Sequence, residues 1–472
     1  MKRSLLSLVS FILSIMLLTG VLLIGCATGN TAEEAVEQVA EEAGEEAVEQ
    51  VAEGDGITIN IIAMQSDDQK AAMETLPKFE EETGINVEVS YFTWDNMMAT
   101  EKMDFATHAG AYDLVCGTDY PLSGYVAAGW VEPIDQFIND TSLPDPQIDD
   151  IFDSLVYAAM ERDGKIYGLP ITMYANMFGY RKDLYIENGI VDDEGNPKVP
   201  ETYEEMRQNA IKLTQDTDGD GQIDQYGMAL FSVKGDPLTY DLGPYLWAYG
   251  ASFVDMDTMR AGFTTPEGKE ALRLYADYIL TDKVTPPGVL SFAHAEFIDA
   301  MRTGLTAQGI FFQEAVGNPM EDPEYSQVIG KIGYAVNPGV ELPDGSIRRF
   351  SNIGAFGLYL NKDSKHKKEA YLVMNYLSSA EQSKERILNG GKPFRISDFE
   401  IPEVMEKYPF YEYVKESLEV GRSMPQLPEW ETIVQIFIEN YHNILSGSQD
   451  FDDGIDKAAE DINAILEEAY PE

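Results

Sequence analysis

The sequence predicts an α/β protein, and three stretches near its beginning carry this prediction. ITINIIAM at 57–64 is a continuous apolar run, which is typical of a buried strand. The stretch 65–85 follows with apolar residues at helical spacing and Gly84 as a stop signal. INVEVSYF at 85–92 then alternates as a second strand. Strands that alternate with helices indicate an α/β architecture with a largely parallel sheet.

The same alternation continues along the chain. A helical stretch reaching Asp104 precedes a short apolar strand at 112–117, and GKIYGLPI at 164–171 predicts another strand. No long-period repeat follows the first strand, which disfavours a solenoid or a propeller. Further elements are predicted as a strand, turn and helix over 353–379, and as helices over 237–253, 265–280, 430–445 and 452–470.

The first 26 residues are typical of the secretory signal of a lipoprotein. Lys2 and Arg3 precede an apolar run, and the tetrad LIGC ends at Cys26. This tetrad resembles the lipobox of bacterial lipoproteins, in which the cysteine is lipidated and becomes the first mature residue. An uncleaved transmembrane anchor is the alternative, because the run is long enough to span a bilayer. In both cases the rest of the chain is expected outside the cytoplasm, held at the membrane in the periplasm or on the outer face of the cell.

Residues 27–56 are predicted to form a disordered acidic tether. EEAVEQVAE at 33–41 recurs at 45–53, and the segment holds ten acidic residues but no basic or aromatic ones. Such a composition cannot bury enough apolar surface to fold alone.

The remaining 416 residues are long enough for two or three domains and carry most of the negative charge. The chain has a formal net charge of −49, of which −41 belongs to residues 57–472. This charge disfavours binding to nucleic acid or to an anionic lipid surface, both of which attract lysine and arginine. Cys116 is the only cysteine in this part, so an internal disulfide is excluded there.

The sequence contains none of the common catalytic motifs. Its four histidines are scattered, with no HExxH motif and no histidine pair at helical spacing, so a zinc site is not expected. No GxSxG, P-loop or dinucleotide-binding glycine pattern occurs, and Gly390–Gly391 before KPFR is best interpreted as a turn. We therefore identify no catalytic residue.

The stretch QDTDGDGQIDQYG at 215–227 has the spacing of an EF-type calcium loop. Gly227 stands where such a loop has its bidentate glutamate, so one ligand must come from elsewhere or from water. An Asp/Gly-rich turn that binds no metal is the alternative. A bound calcium ion is expected to be structural and not part of a sensor. The predicted metal ligands are Asp216, Asp218, Asp220, Gln222 and Asp224, with Gly221 supplying the turn.

Aromatic and amide side chains follow several predicted strands. Ligands of open α/β sheets bind beyond the carboxyl ends of the strands. Aromatic faces beside a few amides and carboxylates suit sugars, which have apolar C–H faces surrounded by hydroxyls. Packing in the core is the alternative for each of these residues taken alone. The candidates are Trp94, Asp119, Tyr120, Tyr174, Asn176, Tyr240, Trp247 and the run Phe311–Gln313.

Six stretches spread over the chain, in this order and behind a lipobox and an acidic tether, resemble one known family. They are AAGWVEPID at 127–135, KIYGLPITMYANMFGYRKDLY at 165–185, DTDGDGQIDQYG at 216–227, LGPYLWAYGASF at 242–253, IGAFGLYLNKDSKHKKEA at 353–370 and MPQLPEWETI at 424–433. The family is that of the extracellular solute-binding proteins of ABC importers, in the sugar-binding group that includes maltose-binding protein.

This resemblance implies a periplasmic-binding-protein type II fold, in which two α/β lobes close on a ligand in the cleft between them. The chain is expected to cross between lobes near Leu169–Pro170, Ser351–Gly354 and Pro393–Ile401. The implied boundaries are 57–168 and 352–397 for the first lobe, and 169–351 and 398–472 for the second.

The resemblance also implies positions for the ligand-binding residues. Asp119, Tyr120, Tyr174 and Asn176 fall where relatives contact sugar hydroxyls. The tryptophan that commonly follows the strand at 309–312 is missing, and Trp430 lies close to a stacking position of the family without clearly matching it. We predict ring stacking by Trp94, Tyr240 and Trp247, and recognition of hydroxyls by Gln65, Asp119, Tyr120, Tyr174, Asn176, Gln313 and Asn352.

The predicted function is to capture a carbohydrate, a mono- or short oligosaccharide, and deliver it to an ABC permease. The protein is expected to act as a lipid-anchored monomer, without catalysis and without a catalytic cofactor. A cationic solute such as a polyamine is the nearest competing ligand, because aromatic rings and carboxylates also bind ammonium groups. The sequence is also compatible with a surface-anchored carbohydrate-active enzyme, and with a sensor component that presents its closed form to a membrane kinase.

Overall fold

The computed structural model describes residues 56–313 and 317–471. The predicted signal with Cys26 lies outside the described residues, and so does all of the tether except Gly56. The described residues divide into two compact units, one with residues 56–58 and 76–87 and the other with residues 59–75 and 88–471.

The smaller unit contains one helix, Leu76–Thr83, and short pieces of chain beside it. Phe79 is buried, and the hydroxyl of Thr83 donates to the carbonyl oxygen of Phe79 at 2.7 Å. The backbone N–H of Val87 donates to Oε1 of Glu80 at 2.7 Å, and that of Asn86 donates to the carbonyl oxygen of Ile57 at 2.9 Å. These bonds satisfy backbone groups where the helix ends and the next strand begins.

The strands and helices alternate along most of the chain, as the sequence predicts. The strands are β1 (Thr58–Met64), β2 (Asn86–Phe92), β3 (Leu114–Thr118), β4 (Glu161–Arg162), β5 (Lys165–Ile166), β6 (Gly168–Arg181), β7 (Val254–Asp255), β8 (Arg260–Ala261), β9 (Gln308–Phe312), β10 (Ile332–Ala335), β11 (Val340–Glu341), β12 (Ile347–Arg348), β13 (Ser351–Leu360) and β14 (Gly421–Arg422). The α-helices are α1 (Asp67–Met73), α2 (Leu76–Thr83), α3 (Trp94–Thr107), α4 (Asp119–Ala127), α5 (Asp135–Ile138), α6 (Asp153–Ala159), α7 (Lys182–Glu187), α8 (Tyr203–Leu213), α9 (Pro237–Tyr249), α10 (Pro266–Leu280), α11 (His294–Arg302), α12 (Asn318–Glu321), α13 (Lys367–Ser378), α14 (Ala380–Leu388), α15 (Pro402–Lys407), α16 (Tyr411–Glu419), α17 (Trp430–Leu445) and α18 (Phe451–Ala469). Short 3₁₀ helices occur at Ile148–Asp150, Gly262–Thr264, Val289–Ser291 and Ser397–Glu400.

The larger unit is built on a sheet with the strand order β10-β6-β13-β3-β1-β2, in which β14 also pairs with β13 and β9 with β6. β1 and β3 are parallel, as are β13 and β14. The pairs β13–β3, β13–β6, β6–β9 and β6–β10 are all antiparallel. The prediction of a largely parallel sheet is therefore wrong for this part of the sheet, where β6 is antiparallel to β9, β10 and β13, and β13 is antiparallel to β3.

The strand β6 is longer than the sequence indicates. All 14 of its residues are buried, so the run has no alternation of apolar and polar residues that would reveal its length. Its first half pairs with β13, from Gly168 to Ala175, and its second half pairs with β9 and β10. Tyr174 and Asn176 accordingly lie within a strand and not in a loop that follows one.

Much of the apolar core of the larger unit lies around α9, α10, α17 and α18. The α17 sequence WETIVQIFIENYHNIL buries Ile433, Phe437 and Tyr441, which share one face of the helix because they stand four residues apart. The carboxylate of Asp450 accepts hydrogen bonds from the backbone N–H groups of Asp452 and Asp453, which caps the start of α18. The ends of α10, α17 and α18 agree with the sequence prediction to within one residue, whereas α9 ends at Tyr249, before Gly250, and not at residue 253.

None of the helices within 56–313 and 317–471 has the length and apolar composition needed to cross a bilayer. The predicted crossing points fall in β6, in β13 and around the 3₁₀ helix at Ser397–Glu400. The boundaries of the two lobes stay a prediction.

Candidate ligand-binding site

A cavity of about 710 Å³ opens in the larger unit, within the range of about 300–1,000 Å³ typical of small-molecule sites. The β1–α1 connection, the start of α3 and α9, the end of β9 and the loop after α14 all contribute to its wall. The residues that line it and enter the argument below are Asp68, Trp94, Tyr174, Asp236, Tyr240, Phe312, Gln313, Phe356 and Lys392.

Five aromatic rings form a continuous wall of this cavity: Trp94, Tyr174, Tyr240, Phe312 and Phe356. The ring of Tyr174 lies 5.2 Å from that of Phe312, 6.1 Å from that of Tyr240 and 6.4 Å from that of Phe356, measured between centroids. Trp94 contacts Phe356 edge to face at 6.0 Å. Such a wall offers flat apolar faces to a ligand.

The Tyr174 hydroxyl is held by a carboxylate behind the wall. It donates to Oδ1 of Asp119 at 2.6 Å. Asp119 begins α4 directly after β3, where the hydroxyl of Thr118 accepts the backbone N–H of Tyr120 and caps the helix. Burial raises the pKa of Asp119 to about 6, although the hydrogen bond from Tyr174 and the positive charge of Arg162 oppose the change.

A second carboxylate, that of Asp68, takes part in an ion pair at the cavity. Its Oδ2 lies 3.1 Å from Nζ of Lys392 and accepts the hydroxyl of Thr172 at 2.8 Å. Both charged side chains are less than 15% exposed, at 12% for Asp68 and 14% for Lys392. Burial disfavours the ionised carboxyl, but the charge of Lys392 and the hydroxyls of Ser66 and Thr172 outweigh it and lower the pKa of Asp68 to about 2.

A third carboxylate, that of Asp236, stands at the start of α9 without capping it. Its side chain accepts no capping hydrogen bond from the helix, and Pro237 follows it. Burial raises the pKa of Asp236 to about 6, and the nearby charge of Asp95 acts in the same direction.

Five of the candidates from the sequence line the cavity: Trp94, Tyr174, Tyr240, Phe312 and Gln313. The Gln313 amide is already bonded to β6, because Oε1 accepts from the backbone N–H of Ala175 at 2.6 Å and Nε2 donates to the carbonyl oxygen of Met173 at 2.9 Å. Gln313 therefore ties the end of β9 to β6. Asp119 does not line the cavity and contributes to it indirectly, by accepting the hydrogen bond of the Tyr174 hydroxyl.

Trp247 does not line the cavity. It is 2% exposed and packs edge to face with Phe350 at 6.3 Å, with the Arg422 guanidinium 5.3 Å from its ring. The prediction that it stacks on a ligand therefore does not fit its position, because its apolar ring is used in the core. Tyr120 is likewise packed in the core, at 8% exposed.

The remaining predicted polar residues do not line the cavity. Gln65 is exposed between Met64 and Ser66, and its backbone N–H donates to the carbonyl oxygen of Phe92. The Asn176 Nδ2 donates to the carbonyl oxygen of Tyr240 at 3.1 Å. Asn352 is fully buried, and neither polar atom of its side chain has a partner among the described residues.

Sequence reasoning missed Asp68, Asp236, Phe356 and Lys392. Asp68 carries a weak signal, since it follows the first strand within QSDD. Lys392 stands in the GGKPF stretch, whose interpretation as a turn gave no reason to expect a charged group beside a ligand. Phe356 is part of an apolar strand, so only the pairing of β13 with β6 shows that it faces the cavity.

The predicted calcium loop brings three of its carboxylates together. Oxygen atoms of Asp216, Asp218 and Asp224 all lie within 4.8 Å of one another. The Asp216 carboxylate also accepts the backbone N–H groups of Gly219 and Gly221, at 2.7 and 2.8 Å. Asp220 is outside this group of three and accepts the backbone N–H of Gln222 at 2.8 Å. Calcium binding there stays a prediction.

Comparison with known proteins identifies the family and supports the fold. A family model described as bacterial extracellular solute-binding protein matches residues 63–384. A binding protein of Brucella abortus (strain 2308) is 26% identical over 438 residues, which cover 87% of this chain and 97% of the relative. The mannitol-binding protein of Pseudomonas aeruginosa is 26% identical over 287 residues, or 60% of each chain.

A solved structure extends the comparison to the fold. The crystal structure of an ABC transporter solute-binding protein from Agrobacterium radiobacter K84, in complex with ribitol, superposes with a TM-score of 0.75. It is 24% identical and covers 87% of this chain and 99% of its own. The predicted periplasmic-binding-protein type II fold is thus confirmed. Because the family model spans more than half of the sequence, the chain belongs to the bacterial extracellular solute-binding proteins.

Proposed function

We propose that the protein is the substrate-binding component of an ABC importer and captures a small carbohydrate, either a sugar or a polyol. The observation that carries the proposal is the composition of the cavity, whose lining combines the wall of five aromatic rings with the charged groups of Asp68, Asp236 and Lys392. Rings cover the C–H faces of a sugar, while the carboxylates and Lys392 satisfy its hydroxyls. The mannitol and ribitol bound by two of its relatives support this substrate class.

The rest of the proposal follows the predictions from the sequence. The two lobes close on the ligand, and the closed form is the one that a membrane permease binds. The chain acts as a monomer anchored through a lipid on Cys26, and it releases its ligand chemically unchanged.

A ligand screen with the purified full-length chain tests the proposal. Thermal unfolding is measured with sugars, polyols and the polyamine spermidine, since a ligand that binds only the folded state raises the Tm according to its affinity and concentration. We expect a sugar or polyol to raise the Tm and to change the fluorescence of Trp94, which lines the cavity.

Variants then locate the site. A Trp94→Ala, Tyr240→Ala double variant should lose at least about tenfold in affinity, because two of the five stacking faces are removed. Tyr325→Ala is the matched control, since Tyr325 is 55% exposed and is not among the residues that line this cavity. Full affinity in the double variant, or no response to any sugar or polyol, would contradict the proposal. A response to spermidine alone would favour a cationic solute.

A further inference from the structure

The charges of the cavity are distributed unevenly. The charges of Asp68 and Lys392 compensate each other at 3.1 Å. The Asp236 carboxylate has the negative charge of Asp95 nearby, and no cation among the described residues compensates it. The Asp68–Lys392 pair is therefore neutral, whereas the surroundings of Asp236 are negative.

The position of Asp236 leaves its carboxylate available to a ligand. An aspartate at the start of a helix usually accepts backbone N–H groups of the first turn. Asp236 does not, so its carboxylate has no capping partner in α9. Tyr240 stands one turn further along the same helix and contributes its ring to the aromatic wall.

A half-buried, ionised carboxylate without a counter-charge destabilises the folded protein. Removal from water disfavours its ionised form, and this shows as a pKa raised to about 6. A ligand hydroxyl would donate one hydrogen bond but leave the negative charge uncompensated. An ammonium group would donate a charge-assisted hydrogen bond and also neutralise the charge. The neighbouring rings of Tyr240 and Trp94 would add cation–π attraction to the same group.

We propose that Asp236 binds an ammonium group, so that the ligand is an aminated sugar or an aminated polyol. Its hydroxyls are recognised by the compensated Asp68–Lys392 pair, and its carbon skeleton lies on the aromatic wall. This inference rests on the proposed function, because it presupposes that the cavity binds carbohydrates.

Matched ligand pairs test the inference with the full-length chain. Isothermal titration at pH 7 compares glucamine with sorbitol, which differ by one ammonium in place of one hydroxyl, and glucosamine with glucose and with neutral N-acetylglucosamine. We expect each aminated ligand to bind at least about tenfold more tightly than its neutral counterpart. Added salt should weaken the binding of the aminated ligands and leave that of the neutral ligands nearly unchanged.

Two variants assign the preference to one residue. Asp236→Asn should reduce the preference for the amine to less than about threefold, because the aminated ligand loses more affinity than its neutral counterpart. Asp193→Asn removes one negative charge from an exposed position outside the lining of the cavity and should keep the full preference. Unfolding curves of both variants check that they fold.

The outcomes separate this inference from the proposed function. If neutral sugars or polyols bind and their amines bind no better, the inference is wrong and the proposed function stands. If Asp236→Asn weakens both members of a pair equally, Asp236 is a hydroxyl acceptor and the inference is again wrong. If no sugar, polyol or aminated counterpart binds, or if spermidine alone binds, both proposals are wrong.

Discussion

Gly354 in β13 gives the Tyr174 ring its place in the cavity wall. A Cβ atom at this position would lie 2.1 Å from the Tyr174 hydroxyl oxygen and 2.7 Å from Oδ1 of Asp119. These distances are far below van der Waals contact, so the methyl group of an alanine at position 354 would displace Tyr174 and Asp119. The glycine is therefore required by close packing.

Replacing this glycine tests its role. Gly354→Ala should lower the free energy of unfolding by about 1–3 kcal/mol through overpacking, and it should weaken ligand binding because Tyr174 moves. Urea denaturation and a ligand titration measure the two effects. Gly357→Ala on the same strand is the control, since its Cβ would come no closer than 3.2 Å to the Tyr359 side chain. Equal stability of the two variants would contradict this account.

Asp119 should make the stability of the protein depend on pH. A carboxyl with a folded-state pKa of about 6, raised from 3.8, binds a proton more readily in the folded than in the unfolded state. Its contribution to stability is therefore present at low pH and is lost as the pH rises towards 6. Asp119→Asn, which stays neutral, should gain about 2 kcal/mol relative to the parent between pH 4.5 and pH 7.5.

Urea unfolding of both proteins at the two pH values measures this difference. Asp193→Asn, a change at an exposed carboxylate, should follow the parent at both pH values. A difference between Asp119→Asn and the parent that does not change with pH would show that burial does not destabilise the ionised Asp119.

Individual site residues could be predicted from the sequence most readily when they are aromatic and close to the end of a predicted element. Trp94 and Tyr240 meet this condition and line the cavity. Trp247 meets it equally well but faces the core, since both positions belong to α9 and only the packing of that helix distinguishes Trp247 from Tyr240. Asp68 and Lys392 are 324 positions apart in the chain, so no local pattern could have paired them.

At the scale of elements, the loop at 215–227 is the feature whose prediction is easiest to test. Three of its carboxylates converge, but the loop lacks the usual twelfth ligand. We propose that a calcium ion binds there and ties the end of α8 to the segment before residue 228. Millimolar calcium should then raise the Tm of the chelator-treated protein by a few degrees, and magnesium should do so less.

A variant checks that this stabilisation comes from the loop. Asp216→Asn, Asp218→Asn should abolish the effect of calcium without changing the response to a ligand of the cavity. A Tm that does not respond to calcium in the parent would identify the loop as a plain turn. An identical calcium response in the double variant would place the ion elsewhere.

Helices and strands differ in how well the sequence predicts them, for a physical reason. α17 and α18 have one buried and one exposed face, and this periodicity defines their bounds. β6 is buried on both faces, so its sequence shows no regular alternation of apolar and polar residues that would mark its full length. The antiparallel pairing of β6 with β13 is likewise set by a long connection that no local pattern encodes.

For the whole molecule, the fold class could be predicted because many stretches support it together. Local alternation of strands and helices predicts α/β, and the order of the family-like stretches predicts the type II fold. The charge distribution of the cavity could not be predicted in this way. The body carries a net charge of −41, so acidic residues are too frequent in the sequence for any one of them to stand out.

The central position of β6 has a consequence for synthesis. Ala175 pairs with Ile353, so the partner strand is made about 180 residues later along the chain. At a synthesis rate of about 5–20 residues per second, roughly 10–35 seconds would pass between the emergence of β6 and that of β13 from the ribosome. During that interval a 14-residue segment that is fully buried in the folded protein has an unpaired edge, which is a ready template for pairing with another chain. Folding of this protein is accordingly expected to be slow and to require protection of β6 until residues 351–360 have been made.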